Sequence, residues 1–147
     1  MNLKILNSKE LKEIRRKIEE QYGITEKFPY VFLLSEKEDI YIINDEVKNI
    51  DLDKLNINTI GIYFGQVRND FRPSLEGSQI IGKFVKKNIL EVDDKVAKMW
   101  MYGLDIPCKE ELTGYVIIKN KDNFLGSGRY KGGMILNFVP KGRRIHE

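Results

Sequence analysis

Gly114-Tyr115-Val116-Ile117-Ile118-Lys119, Phe124-Leu125-Gly126 and Met134-Ile135-Leu136-Asn137-Phe138-Val139 lie close together in the last third of the chain. Each is short, and β-branched and aromatic side chains dominate them, which predicts strands. Glycines between them (Gly126, Gly128, Gly132, Gly133) predict turns that need a left-handed backbone or a close approach. Consecutive short strands without long helices between them cannot form a parallel βαβ sheet. They predict a small barrel or pseudo-barrel.

Upstream, the pattern continues with short inserted helices. Asn88–Val92 reads as a strand. Asp93 and Asp94 then open a helix with Val96, Ala97, Trp100 and Met101 on its apolar side, closed by Gly103. Ser74 caps an earlier helix running to Ile81, with Gly82 as its stop. Arg68–Pro73 reads as a loop, and Thr59–Val67 as a strand whose two glycines imply a bend or close backbone contact. The first third differs. A strand at Leu3–Leu6 precedes a helix capped by Asn7 or Ser8, with Leu11, Ile14, Ile18 and Tyr22 at helical spacing and Gly23 as stop. Tyr30–Leu34 and Ile40–Asn44 form a hairpin around Ser35–Asp39, and residues 45–58 read as a connection with a helical turn near Asp51–Leu55. The expected fold class is therefore α+β. A small N-terminal α/β subdomain, residues 1–57, precedes a β pseudo-barrel with two short helices, residues 58–147.

The chain has 147 residues, 41% hydrophobic and 32% charged, a globular composition. No apolar run is long enough to span a membrane, and no secretory leader is visible. One cysteine and one histidine exclude a disulfide framework and a His/Cys metal site. No cofactor is expected, and the cytoplasm is the expected compartment. The lone pair Pro107-Cys108 resembles the nucleophile motif of RNA cytosine-5 methyltransferases. No second cysteine and no donor-binding loop accompany it, so Cys108 is expected to pack as a small hydrophobe.

Charge is unevenly distributed although the net charge is only +3. Between Phe124 and His146 stand Arg129, Lys131, Lys141, Arg143 and Arg144, with no acidic residue. Arg68 and Arg72 form a second group, and Lys83 lies in a third with Lys86 and Lys87. Residues 35–55, in contrast, carry seven acidic and three basic side chains. Guanidinium groups bind phosphate bidentately and stack on bases, so local basic stripes on a balanced protein fit a nucleic-acid face. The alternative for each such residue is an ordinary solvated side chain. Tyr63, Phe71, Tyr130 and Phe138 are the aromatic candidates for base stacking.

Leu125-Gly126-Ser127-Gly128-Arg129 and Leu136-Asn137-Phe138-Val139-Pro140-Lys141-Gly142-Arg143-Arg144 together resemble the end of a PUA-like RNA-binding domain. The closest likeness is to the C-terminal PUA-like domain of Nol/Nop/Sun-type ribosomal RNA cytosine-5 methyltransferases, without the methyltransferase domain. Arg72-Pro73-Ser74-Leu75, Asn88–Asp94 and Trp100–Ile106 are similar to the family's middle segment, so the likeness covers about residues 58–145. Ser127 stands where the family tends to have an aromatic, and Ile135 where a Lys is common. The resemblance implies a stand-alone, non-enzymatic RNA-binding protein acting in rRNA or tRNA modification or ribosome assembly. Structured RNA would lie across Arg68, Arg72, Ser74, Lys83, Gly126, Gly128, Arg129, Lys131, Lys141, Arg143 and Arg144. Two other readings remain. One is an adaptor serving an RNA-modifying enzyme in trans through the N-terminal helix and the acidic segment. The other is a carboxylate-dependent nuclease with Mg²⁺, which would need acidic residues gathered by the fold.

Overall fold

The computed structural model describes residues 3–44 and 61–146. The expected boundary between residues 57 and 58, the helical turn near Asp51–Leu55 and the first residues of the strand from Thr59 lie outside them.

Helix α1 (Ser8–Tyr22) follows strand β1 (Leu3–Ile5). Asn7 caps it: its side chain accepts from the Glu10 amide at 2.8 Å, and Glu10 accepts in return from the Asn7 amide at 3.2 Å. Gly23, at φ 72°, ends it. The buried stripe Ile14, Ile18 and Tyr22 faces an antiparallel sheet built from β1, β2 (Tyr30–Ser35), β3 (Asp39–Asn44), β4 (Ile62–Val67) and β5 (Phe71–Pro73), in that order. β5 corrects the expected loop at Arg68–Pro73. Arg72 pairs with Gln66, and this edge strand carries Arg72 on a fixed register. Because β3 pairs with β4, one sheet joins chain on both sides of residues 57 and 58.

The second sheet has the order β6 (Ile89–Glu91), β8 (Tyr115–Asn120), β9 (Asn123–Lys131), β10 (Met134–Asn137) and β7 (Ile106–Pro107). All its pairings are antiparallel except that of β6 with β8. Strand alternation lets β8 wall two cores at once. Ile117 points into the core beneath α1 with Phe32, Phe64 and Phe71, while Val116 and Ile118 point to Trp100, Ile106 and Ile135. Helix α2 (Leu75–Ile81) packs between β4 and β9, and helix α3 (Asp94–Met101) supplies Trp100 to the second core. The α+β class with two short helices among the later strands holds.

Helix α2 ends at Ile81 with Gly82 as its cap, as expected, but Gly82 keeps a right-handed φ of −52° and heads a 3₁₀ turn through Phe84; the Phe124 ring fills the space where a side chain at 82 would go. Two local expectations are corrected. The strand expected at Phe124–Gly126 runs from Asn123 to Lys131, so Gly126–Gly128 is not a turn. The turn is Gly132-Gly133, both at positive φ. Finally, the strand from Met134 ends at Asn137, and the short β7 had no periodicity long enough to reveal it.

Candidate functional site

Where β4, β5, the start of α2, β9 and the C-terminal segment converge, a cleft of about 720 Å³ opens. Tyr63, Arg72, Ser74, Glu76, Gly126, Phe138, Lys141, Arg143 and Arg144 are among its lining residues. These residues come from both sheets and from chain positions some 80 apart, so tertiary folding makes the site. Its volume lies within the usual range of ligand clefts, and its lining mixes aromatic, aliphatic and cationic groups.

Aromatic rings and guanidinium groups interleave on one side. The Arg72 guanidinium lies 5.3 Å from the Phe138 ring centroid and 6.0 Å from that of Tyr115. Arg129 lies 5.3 Å from the Tyr115 centroid, and the two rings are 5.6 Å apart. Each contact is a cation–π geometry that holds the cation without consuming its hydrogen-bond donors. The Tyr63 hydroxyl, on the same side, donates to Asp39 at 3.3 Å. Burial and, after it, the Asp39 charge push the Tyr63 phenol up from its ordinary value, so it stays a neutral donor. Phe138 remains 38% exposed, the open face of this stack.

The frame beneath is fixed from two directions. The hydroxyl of Tyr22, at the end of α1, donates to the Tyr115 carbonyl at 2.8 Å, and Gln21 Nε2 donates to the same oxygen at 2.9 Å. The N-terminal helix thus anchors the backbone of the ring that two arginines share. Burial pushes the Tyr22 phenol well up, which keeps that donor protonated. On the opposite side, Asn137 Nδ2 donates to the carbonyls of Trp100 and Leu104, and its Oδ1 accepts from the Val139 amide at 2.8 Å. This clamp sets the path of Phe138 and of the turn Lys141–Arg143 after it. Ile145 is tied to the Met101 carbonyl at 2.8 Å, so the basic C-terminal segment is laid along the protein.

Of the eleven residues expected to bind, the structure gathers Arg72, Ser74, Gly126, Lys141, Arg143 and Arg144 around the cleft. Arg129 adjoins it through Tyr115 and lies 3.8 Å from Asp70. Arg68 lies further off, near Glu38 at 3.9 Å, and Lys83 stacks over Phe84 on the 3₁₀ turn. Lys131 closes β9 beside the Gly132-Gly133 turn. Gly128 faces inward: a Cβ there would meet Trp100 at 2.5 Å and the Leu136 carbonyl at 2.2 Å. Its close approach is to the protein's own core. Gly126, at φ 88°, bends β9 so that its amide donates to Ser78 Oγ and Ser127 Oγ donates to the Pro73 carbonyl.

Among the aromatic candidates, Tyr63 and Phe138 line the cleft, whereas Phe71 is fully buried and Tyr130 packs on the second core. Tyr115 and Glu76 were not expected. Tyr115 is disguised as one residue of an apolar strand, and Glu76 as an ordinary acidic residue in a first helical turn. The hydrogen bonds of Ser74 are internal: it accepts from Gly77 and donates to the Tyr63 carbonyl.

Cys108 is buried, its thiol donates to the Glu110 carbonyl, and burial pushes its pKa up, so a nucleophilic thiolate is disfavoured at neutral pH. Among the described residues, no group of three or more His, Cys, Asp or Glu could hold a metal ion. No helix among them is long and apolar enough to cross a membrane.

Comparison with known proteins adds the family context. Residues 87–145 match the family model described as the methyltransferase RsmF PUA domain. The ribosomal RNA small subunit methyltransferases F of Aeromonas salmonicida (strain A449) and Aeromonas hydrophila subsp. hydrophila are each 25% identical over 138 residues. Each alignment covers 92% of this chain and 28% of the relative, so the chain spans 28% of the length of these proteins. Alignments of that length reach well upstream of residue 58, where the resemblance was expected to begin. A solved PUA domain from Aeropyrum pernix K1, in complex with tartrate, shares the fold with a TM-score of 0.55 at 11% identity, over 96% of this chain and 86% of that one. The chain carries a PUA-like domain.

Proposed function

We propose, from the premise of a PUA-like domain, that this chain binds structured RNA, and that ribosomal RNA undergoing modification or assembly in the cytoplasm is its main target. Transfer RNA is the secondary target. The observation that carries the reading is the interleaving of Arg72 and Arg129 with Tyr115 and Phe138 beside a cleft edged by Lys141, Arg143 and Arg144. Cations supply attraction to phosphate, and exposed ring and guanidinium planes supply stacking. The relatives are named as small-subunit rRNA methyltransferases, which supports an rRNA target for the region they share with this chain. In this reading the chain performs no chemistry of its own. Residues 58–147 provide the binding face, and residues 1–57 act as scaffold through α1.

Fluorescence-anisotropy titration of labelled small-subunit rRNA fragments, with total tRNA as competitor, tests this across a salt series. If several phosphates are neutralised, log K falls with log salt at a slope of several units. Stronger competition by unlabelled rRNA fragments than by tRNA identifies the main target. Absence of binding to either RNA overturns the reading and favours an adaptor that acts through protein contacts.

A further inference from the structure

One lining residue is anomalous in a cleft for anions. Glu76 stands among Arg72, Lys141, Arg143 and Arg144, and its carboxylate takes the Arg143 guanidinium. An acidic residue in a first helical turn complements the helix dipole, which accounts for a Glu at this position. It does not account for the reach to Arg143, 67 residues away, across the cleft. Ser74 Oγ already caps the helix by accepting from the Gly77 amide. The Glu76 side chain is therefore free to serve the cleft.

We propose that Glu76 is a specificity-determining residue that sets the cleft to accept RNA with an unpaired nucleotide and to resist plain duplex backbone. This inference rests on the RNA-binding reading. An ionised carboxylate only accepts hydrogen bonds. A phosphate that approaches Arg143 must displace Glu76 and then sits beside a like charge. Duplex RNA presents its phosphates and its minor-groove 2′-hydroxyls, but its Watson–Crick donors are sealed by pairing, so its backbone bears that repulsion without a base donor to offset it. An unpaired nucleotide frees the donors of its Watson–Crick edge, and these satisfy Glu76. Its base can also stack on Phe138, whose ring is open to solvent and braced behind by Arg72. The same carboxylate thus repels one class of RNA and recognises the other.

The test uses the whole chain and two synthetic RNAs: a fully paired duplex, and the same duplex with a single-strand bulge. Wild type is expected to prefer the bulged RNA. Glu76→Gln should tighten duplex binding about fivefold, the size of one close charge repulsion in water. It should also steepen the duplex salt slope by about one, as Arg143 becomes free to neutralise a phosphate. Bulged RNA should gain little, so the preference collapses. In an Arg143→Gln background the effect of Glu76→Gln should shrink, because the two residues act as a pair. Equal gains for both RNAs, or losses for both, would overturn the inference while leaving RNA binding intact. Failure of wild type to bind either RNA would overturn the underlying reading as well.

Discussion

Helix α1 and the cleft use the same basic residues to opposite ends. On α1, Arg16 lies between Glu13 and Glu20, at spacings of three and four, and Lys4 pairs with Glu10 at its start. The Arg16 partners are local, exposed and supplied by the helix repeat itself, and Lys4 reaches the first turn from the neighbouring strand β1. The arginine side chain is spent on its own helix. At the cleft, Arg72 and Arg129 lie over rings supplied by β8 and by the segment that follows β10, and the Arg143 partner comes from helix α2. A cation held by a ring keeps its donors for a ligand. Charge count therefore says little about where a polyanion binds. What separates a binding arginine from a solvated one is the partner that tertiary structure gives it.

That contrast can be broken by changing either side. The largest effect is expected at the wall behind the cleft. Gly128→Val places methyl groups against the Trp100 ring and the Leu136 carbonyl, both too close to accommodate even a Cβ. Overpacking there should cost about 3 kcal/mol or more, read as a lower denaturant midpoint with loss of the cleft. On the α1 side, Asn7→Ala removes the reciprocal cap with Glu10. The expected cost is only about 1 kcal/mol, again from denaturant unfolding. RNA affinity should be unchanged, since the far end of the helix, Gln21 and Tyr22, is what touches the cleft frame.

The sequence made much of the scaffold legible. The α1 stripe, its Asn7 cap and the Gly23 stop are short-range patterns, and they appear where expected. So do the caps Ser74 and Asp93. Strand β5 and the two-residue β7 were hidden because a strand that short has no periodicity of its own, and only its partner defines it. The Gly-rich run at 126–128 was legible as special but not as to why. One glycine bends a strand and the next makes room for Trp100, and nothing local distinguishes these from a turn.

The candidate site was half legible for the same reason. The run Asn137–Arg144 marked one edge of the cleft, and Arg72 and Ser74 marked another. Asn137 itself proved to be a clamp for the chain around Phe138. Tyr115 and Glu76 could not be singled out, because each gains its role only through residues far away in the chain.

Place rather than charge makes the binding face in this reading, and a matched pair of charge reversals separates the two. Lys141→Glu/Arg143→Glu alters the cleft, whereas Lys9→Glu/Lys12→Glu alters exposed lysines on α1 by the same net charge. Both are compared with wild type in the rRNA-fragment salt series. The cleft pair is expected to weaken binding and to flatten the log–log slope by about one to two, Lys141 in full and Arg143 to the extent that RNA displaces Glu76, while the helix pair leaves the slope at its wild-type value. Equal losses in the two variants would mean that the RNA responds only to overall charge, and would contradict the assignment of the cleft.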